Sequence, residues 1–348
     1  MFVCGVMTLV IALEMVQYGS KPRLWLLRFM ATATALYACH AVYFSKTTEL
    51  QPFAETLYAF CNPAVYPLYY LYIKSLTQRH WPVWHTLCLL LPALLCMLSM
   101  GTAQWMQQPD AIQGVQMAMR VVFGLELIVF LLMGIIRIRR FEHMVASYYA
   151  ATDERSLWWA KLMLQLFFIT SLISLGCNIL GRAYFFGNPM VLAVPALLFS
   201  SLLFAVAYTG LKQHFDINQI EVEAEQLSIE EKVSDEDDAN YAMLRERIDD
   251  IMREQQLFLR PNLKVSDVAS LLNTNRTYVY QAINAEMKTT FSDYVNRKRV
   301  EYSIEVMKQE PTLPLTEVAL KSGFTSSASF YRNFRRFNGC APGQFAVK

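Results

Sequence analysis

Charge is scarce in this chain: only 17% of its 348 residues are Asp, Glu, Lys or Arg, while 54% are hydrophobic. A soluble globular chain carries nearer a quarter charged residues, so a water-exposed surface over the whole length is excluded. Cys-x-x-Cys pairs are also missing. Of seven cysteines, Cys4, Cys39, Cys61, Cys88, Cys96 and Cys177 lie inside apolar runs and Cys340 stands alone near the end. An odd number without ligand spacing reads as free buried thiols, neither a disulfide framework nor a zinc site. There is no HExxH, no GxSxG and no phosphate-binding glycine loop. Paired carboxylates within the apolar runs and any kinase- or receiver-like region are lacking too, so no enzyme chemistry, metal or cofactor is implied.

The charge that is present is unevenly placed. Residues 1–210 hold 8 acids and 13 bases, residues 211–255 hold 14 and 5, and residues 256–348 hold 7 and 13. A near-neutral greasy block is therefore followed by an acidic stretch and a basic end, and a basic end suits a polyanionic partner. The greasy block contains seven apolar runs, at residues 2–18, 24–44, 57–73, 83–100, 115–136, 157–180 and 190–208. Each approaches the roughly 17 to 25 residues that a helix needs to cross a bilayer. Lys21, Arg23, Lys74, Arg79, Arg137, Arg139, Arg140, Arg155, Lys161 and Lys212 fall in alternate connections, and the others offer little beyond Lys46 and Arg182. Basic residues are retained on the cytoplasmic side, which predicts the N-terminus outside and the C-terminal part inside an inner membrane. All six tryptophans, Trp25, Trp81, Trp84, Trp105, Trp158 and Trp159, sit at segment ends, where indole prefers the headgroup region. The first run lacks a basic leader and contains Glu14, so it reads as a retained helix and not a cleaved signal.

Ionisable groups inside such runs are costly and point to function or pairing. Glu126, central in the fifth run, is the strongest candidate for sensing; Glu14 and Arg28 are expected at similar depth, where they can pair. Asn62, Pro63, Pro67, Pro92 and Pro195 interrupt runs and free carbonyls that can line a small cavity. Ordinary helix packing is the competing explanation for each. His40 and His85, near run ends, read as interfacial.

From 211 to 240 the chain is an acidic, mostly helical linker. Ile217, Ile220, Ala224 and Leu227 have the spacing of a short coiled-coil seam, which leaves a homodimer open beside a plain tether. Residues 234–238 read as a solvated hinge. Tyr241, Leu244, Ile248 and Ile251 restart a helical stripe that opens a final domain, residues 241–348.

That domain repeats one pattern. Ser266-Asp267-Val268-Ala269 leads to Val279 and Ile283, and about fifty residues later Thr316-Glu317-Val318-Ala319 leads to Phe330 and Phe334. Ser266 and Thr316 are expected N-caps followed by acids that suit a helix N-terminus, and Asn275 and Thr325 are expected to cap the second helix of each unit. Val279/Ile283 and Phe330/Phe334, four apart, bury one face. The opposite face carries Arg276, Thr277, Tyr280, Gln281 and Asn284 in the first unit. In the second it carries Ser326, Ser327, Ala328, Tyr331, Arg332 and Arg335. These are donors, acceptors and small contacts suited to base edges in a major groove. A helix from about Phe291 to Lys308, bearing Arg297-Lys298-Arg299, joins two helix-turn-helix units that would address successive turns of double-stranded DNA, about 34 Å apart.

At these residues the sequence resembles the AraC/XylS family of bacterial transcription regulators, over roughly residues 245–348. Val318-Ala319, Gly323-Phe324, Ser329-Phe330, Phe334-Arg335-Arg336 and Gly339-Cys340-Ala341-Pro342-Gly343-Gln344-Phe345 carry the resemblance. It implies a seven-helix domain with two recognition helices that binds promoters and contacts RNA polymerase. By position it gives Thr277, Tyr280 and Gln281 to one groove and Ser327, Ala328, Tyr331 and Arg332 to the next; Arg336 reads as a phosphate contact. Lys288 stands where that family often has glycine, Ala341 where Ser or Thr is usual, and Ala346 where a closing Arg is expected. The resemblance does not extend to residues 1–210.

The sequence as a whole reads as an all-α chain: a seven-helix transmembrane bundle, an acidic helical linker and a double helix-turn-helix domain. Its expected function is transcription regulation by a lipid-embedded protein that responds to a small-molecule or membrane signal. Two alternatives stand beside this: a tail released by proteolysis near the hinge, and a membrane enzyme or transporter with a regulatory tail.

Overall fold

The computed structural model describes residues 2–44, 48–78, 80–180, 189–212 and 238–346. The Ile217/Ile220/Ala224/Leu227 seam, residues 234–237, and Lys46, Arg79 and Arg182 lie outside them. Among the described residues the chain is helical throughout with no β-strand, and the sole extended pairing is an isolated antiparallel bridge between Tyr149 and Lys264. The all-α reading holds. The described residues divide into two compact units. One comprises the chain up to Arg139 and from Leu157 through the last apolar helix; the other comprises Arg140–Ser156 and everything described from residue 238 onward.

The first unit contains α1 (Phe2–Tyr18), α2 (Lys21–Phe44), α3 (Gln51–Thr77), α4 (Val83–Trp105), α6 (Trp158–Leu180), α7 (Pro189–Leu211) and the larger part of α5 (Pro109–Tyr148). Four of these are long and apolar enough to cross a membrane: α4, α5, residues 158–176 of α6 and residues 194–211 of α7. The apolar α1 is shorter, at 17 residues. The outward faces of α4 and α5 carry Leu87, Leu91, Leu95 and Leu98, and Val121, Leu125, Ile128 and Leu132, all exposed. Contiguous apolar faces of that length are rare on proteins bathed in water.

α3 is the inner helix, with an unbroken buried stretch from Pro63 to Leu76. Tyr69 anchors it, packing edge-on against Phe167 at 5.0 Å and tilted against Phe29 at 5.2 Å, while its hydroxyl donates to the Ala160 carbonyl at 3.3 Å. Glycine permits close approach where helices touch: a Cβ on Gly210 would lie 2.7 Å from both Leu26 and the Tyr72 hydroxyl. Glu14 faces Arg23 at 3.8 Å, whereas Arg28 is exposed with its guanidinium 4.6 Å over the Trp25 ring. The expected Glu14–Arg28 pairing is thus replaced by one a helical turn closer to the α2 N-terminus, because Arg28 turns outward onto the indole. Of the cysteines, Cys88 is exposed and not buried, and the Cys177 side chain lies outside the described set.

The second unit builds α8 (Asp238–Glu254), α9 (Val265–Leu271), α10 (Arg276–Gln281), α11 (Phe291–Gln309), α12 (Leu315–Lys321), α13 (Ser327–Asn338) and α14 (Pro342–Ala346). α10 runs directly into a π-helical turn, Ala282–Glu286. Two cores lie side by side. Ile248, Met252, Val268, Val279, Ile283 and Val295 form the first, and Val300, Val318, Phe324, Phe330 and Phe334 the second. α11 serves both. Its Tyr294 hydroxyl donates to Asp249 at 2.7 Å and Lys298 lies 2.9 Å from the same carboxylate, which ties α8 to α11. Burial works against ionisation of Asp249, but those two donors outweigh it and hold the carboxyl below its usual range. Tyr294 is pushed up by burial and by that carboxylate.

Candidate nucleic-acid interface

Each helix-turn-helix unit starts from local capping. α9 is closed by Asp267, which accepts from the Lys264 backbone N–H at 2.8 Å, so Lys264 and not Ser266 is the N-cap. Thr316 likewise falls inside α12, whose N-cap is Pro314. Asn275 caps α10 as expected, accepting from Thr277 N at 3.1 Å; α13 is capped by Ser326, accepting from Ser329 N at 3.1 Å, one residue after the expected Thr325. Both inter-helix turns need left-handed backbone, at Asn273 (φ 49°) and Gly323 (φ 81°). At Gly323 only glycine fits, since a Cβ would sit 2.7 to 2.8 Å from the backbone of Leu259 and Phe258.

Val279, Ile283, Phe330 and Phe334 are fully buried, so the two helices show the inward faces that their spacing requires. The outward face of α13 is open: Ala328, Tyr331, Arg332, Arg335 and Arg336 are exposed and Ser327 is half-buried. Arg335 has no ion pair among the described residues. Arg336 grips Asp293 of α11 through two bonds of 2.5 and 2.9 Å, and Arg332 pairs with Asp153. Arg336 therefore has a structural partner that the phosphate-contact reading did not include.

The face of α10 is less open than its spacing suggests. Thr277 is buried at 3% exposure, Tyr280 stacks on Tyr148 at 5.2 Å, and Gln281 accepts a hydrogen bond from the Tyr241 hydroxyl. Arg276 and Asn284 are half-buried, with Asn284 donating to the Tyr280 carbonyl at 3.0 Å.

One residue of the basic run on α11 points inward. Arg299, 1% exposed, donates to the carbonyls of Phe258 (2.7 Å), Arg260 (2.7 Å) and Pro261 (3.1 Å) and to Asn296 Oδ1 (3.2 Å). It fixes the loop against which Gly323 packs, and burial pushes its pKa down to about 10. Sequence reasoning missed it because an Arg-Lys-Arg run on a helix reads as surface.

In the first unit, Glu126 is 7% exposed, and neither carboxylate oxygen has a hydrogen-bond partner among the described residues. Nearby in sequence, Gln116 and Arg120 line a cavity of about 230 Å³ with Glu55, Tyr58 and Asn62. Of the residues expected to free carbonyls toward a cavity, Asn62 is among those lining this one, and Pro63, Pro67, Pro92 and Pro195 are not. Arg120 was not anticipated, since one cation in a long apolar run reads only as an interruption.

Two three-helix cores joined by one long helix, each with its own turn and outward helix, define a double helix-turn-helix domain. A family profile described as a helix-turn-helix domain matches residues 268–347. Similar proteins include the Msm operon regulatory protein of Streptococcus mutans, 27% identical over 84 residues, covering 24% of this chain and 30% of that one. The melibiose operon regulatory protein of Escherichia coli K12 is 26% identical over 83 residues, covering 24% and 27%. The probable transcriptional regulator LumQ of Photobacterium leiognathi is 29% identical over 87 residues, covering 25% and 35%. This chain thus spans about a third or less of the length of these relatives. No solved structure matches it. The C-terminal domain is of the AraC type.

Proposed function

We propose that the chain is a membrane-integrated, sequence-specific regulator of transcription. Residues 1–210 form a seven-span domain, residues 211–240 a linker, and residues 241–348 read two successive major grooves of DNA from the cytoplasmic side of the inner membrane, with the N-terminus outside. The observation that carries this reading is a single chain joining an AraC-type domain, whose α13 face is exposed and basic, to four helices fit to cross a bilayer. Arg276, Thr277, Tyr280 and Gln281 serve one groove; Ser327, Ala328, Tyr331 and Arg332 the next, with Arg335 and Arg336 toward phosphate. Buried Thr277 acts by setting the pose of α10. The signal enters through the membrane domain, where Glu126, the Glu55/Arg120 cavity and the Glu14 and Arg28 positions are the polar groups available. RNA polymerase is the expected downstream partner, and a homodimer would let two tails share one operator.

Chromatin immunoprecipitation of the intact protein, with a C-terminal reporter fusion to read sidedness, tests the reading. Enriched promoter sites together with a cytoplasmic C-terminus are expected. An external C-terminus, or recovery no better than for scrambled DNA, defeats it.

A further inference from the structure

We infer that residues 148–153, the last residue of α5 and the start of its connection to α6, are a built-in competitor of DNA that holds both helix-turn-helix units in a closed state. This rests on the DNA-binding reading above. The segment is seated in the second unit by buried contacts. Ala150, 1% exposed, belongs to the first helix-turn-helix core; its N–H donates to the Leu263 carbonyl at 3.0 Å. Its carbonyl accepts from Ser292 Oγ at 3.0 Å and Asn296 Nδ2 at 3.2 Å, both on α11. Tyr149 is 3% exposed, with Arg155 and Lys264 at 4.4 and 5.4 Å from its ring.

From that seat two side chains reach the two reading faces. Tyr148 stacks on Tyr280 with ring planes 25° apart. Asp153 pairs with Arg332, and its other oxygen lies 3.5 Å from the Ser326 hydroxyl at the start of α13. The carboxylate offers Arg332 the acceptor oxygens that a guanine edge or a phosphate would otherwise supply. It is also a negative charge where a polyanion must arrive. DNA and the segment therefore exclude one another. The Asp153–Arg332 pair is partly exposed, with Arg332 59% and Asp153 27% accessible, so its hold is weak enough to release. The segment is continuous with α5 and α6, so a shift of either helix is carried to it along the backbone.

The test uses the full chain in lipid nanodiscs, titrating a fluorescent promoter fragment at fixed salt. Asp153→Asn should bind about two- to fivefold more tightly than the unaltered chain, the range that loss of an exposed ion pair supports. Tyr148→Ala combined with Asp153→Asn should bind about tenfold more tightly, because a closed fraction no longer taxes the affinity. By linkage, added duplex should speed amide exchange of residues 148–156 in the unaltered chain. A variant that had merely damaged the fold would bind more weakly, so tightening is not a structural side effect. Equal or weaker binding by Asp153→Asn, in a chain that still binds its promoter, overturns the competitor and leaves the DNA-binding reading intact. No binding by any of the chains overturns both.

Discussion

Replacing Arg299 by alanine removes a buried charged group that stitches the long central helix α11 to the loop before α9. Four hydrogen bonds of 2.7 to 3.2 Å disappear, and three of them leave backbone carbonyls, of Phe258, Arg260 and Pro261, facing a void. Hydrogen bonds to a charged group are worth about 1.5 to 3 kcal/mol each, but keeping a guanidinium in the interior has its own desolvation cost. Each carbonyl left without a donor costs about 1 to 3 kcal/mol, partly offset because a guanidinium is no longer buried, so the second unit should lose about 3 to 5 kcal/mol. The unit has no tryptophan among its described residues. Amide exchange by mass spectrometry is the suitable assay, read on the slowest amides of α11. A loss of 3 kcal/mol speeds exchange through global opening about 150-fold. Arg299→Lys keeps the charge but not the planar fork and should give an intermediate acceleration. Acceleration of under threefold in the alanine variant would refute the load assigned to this residue.

Lys288 has φ of 48°, a left-handed conformation that costs a lysine about 1 kcal/mol relative to glycine. Lys288→Gly should slow exchange in the first helix-turn-helix, whereas faster exchange would contradict the strain argument. Gly323→Ala should cost at least about 2 kcal/mol, since positive φ and backbone clash act together; a melting temperature equal to wild type would count against it. Arg335→Ala should weaken all duplexes alike and lower the salt slope by about 1, while Arg332→Ala should relax preference at one base pair by about 1 to 3 kcal/mol. Footprints with unchanged selectivity in the Arg332 variant would remove that assignment.

Much of the architecture was legible because it rests on periodicity. The positions of Val279, Ile283, Phe330 and Phe334 give their burial directly, and α11 ends one residue beyond the expected span. Cap positions slipped by one or two residues. Asp267 and Pro314 each set a helix start upstream of the Ser or Thr that looked like the cap. What could not be read were side chains whose direction depends on distant backbone. Arg299 lies beside Arg297 and Lys298 in sequence, yet the carbonyls it binds are about forty residues away. The covering of Tyr280 and Arg332 is of the same kind, because nothing local in residues 148–153 reveals what they meet.

The π-helical turn after α10 holds one residue more than an α-helical path needs, and such insertions can be removed without breaking the ladder on either side. Shortening the chain by a single position between Ala282 and Glu286 should therefore be absorbed as a regular helical turn. The same deletion within α11 ahead of Arg299 would rotate that residue and every one after it by about 100° about the helix axis. Among its described residues the chain thus contains a place where length can drift during evolution, directly behind a recognition helix.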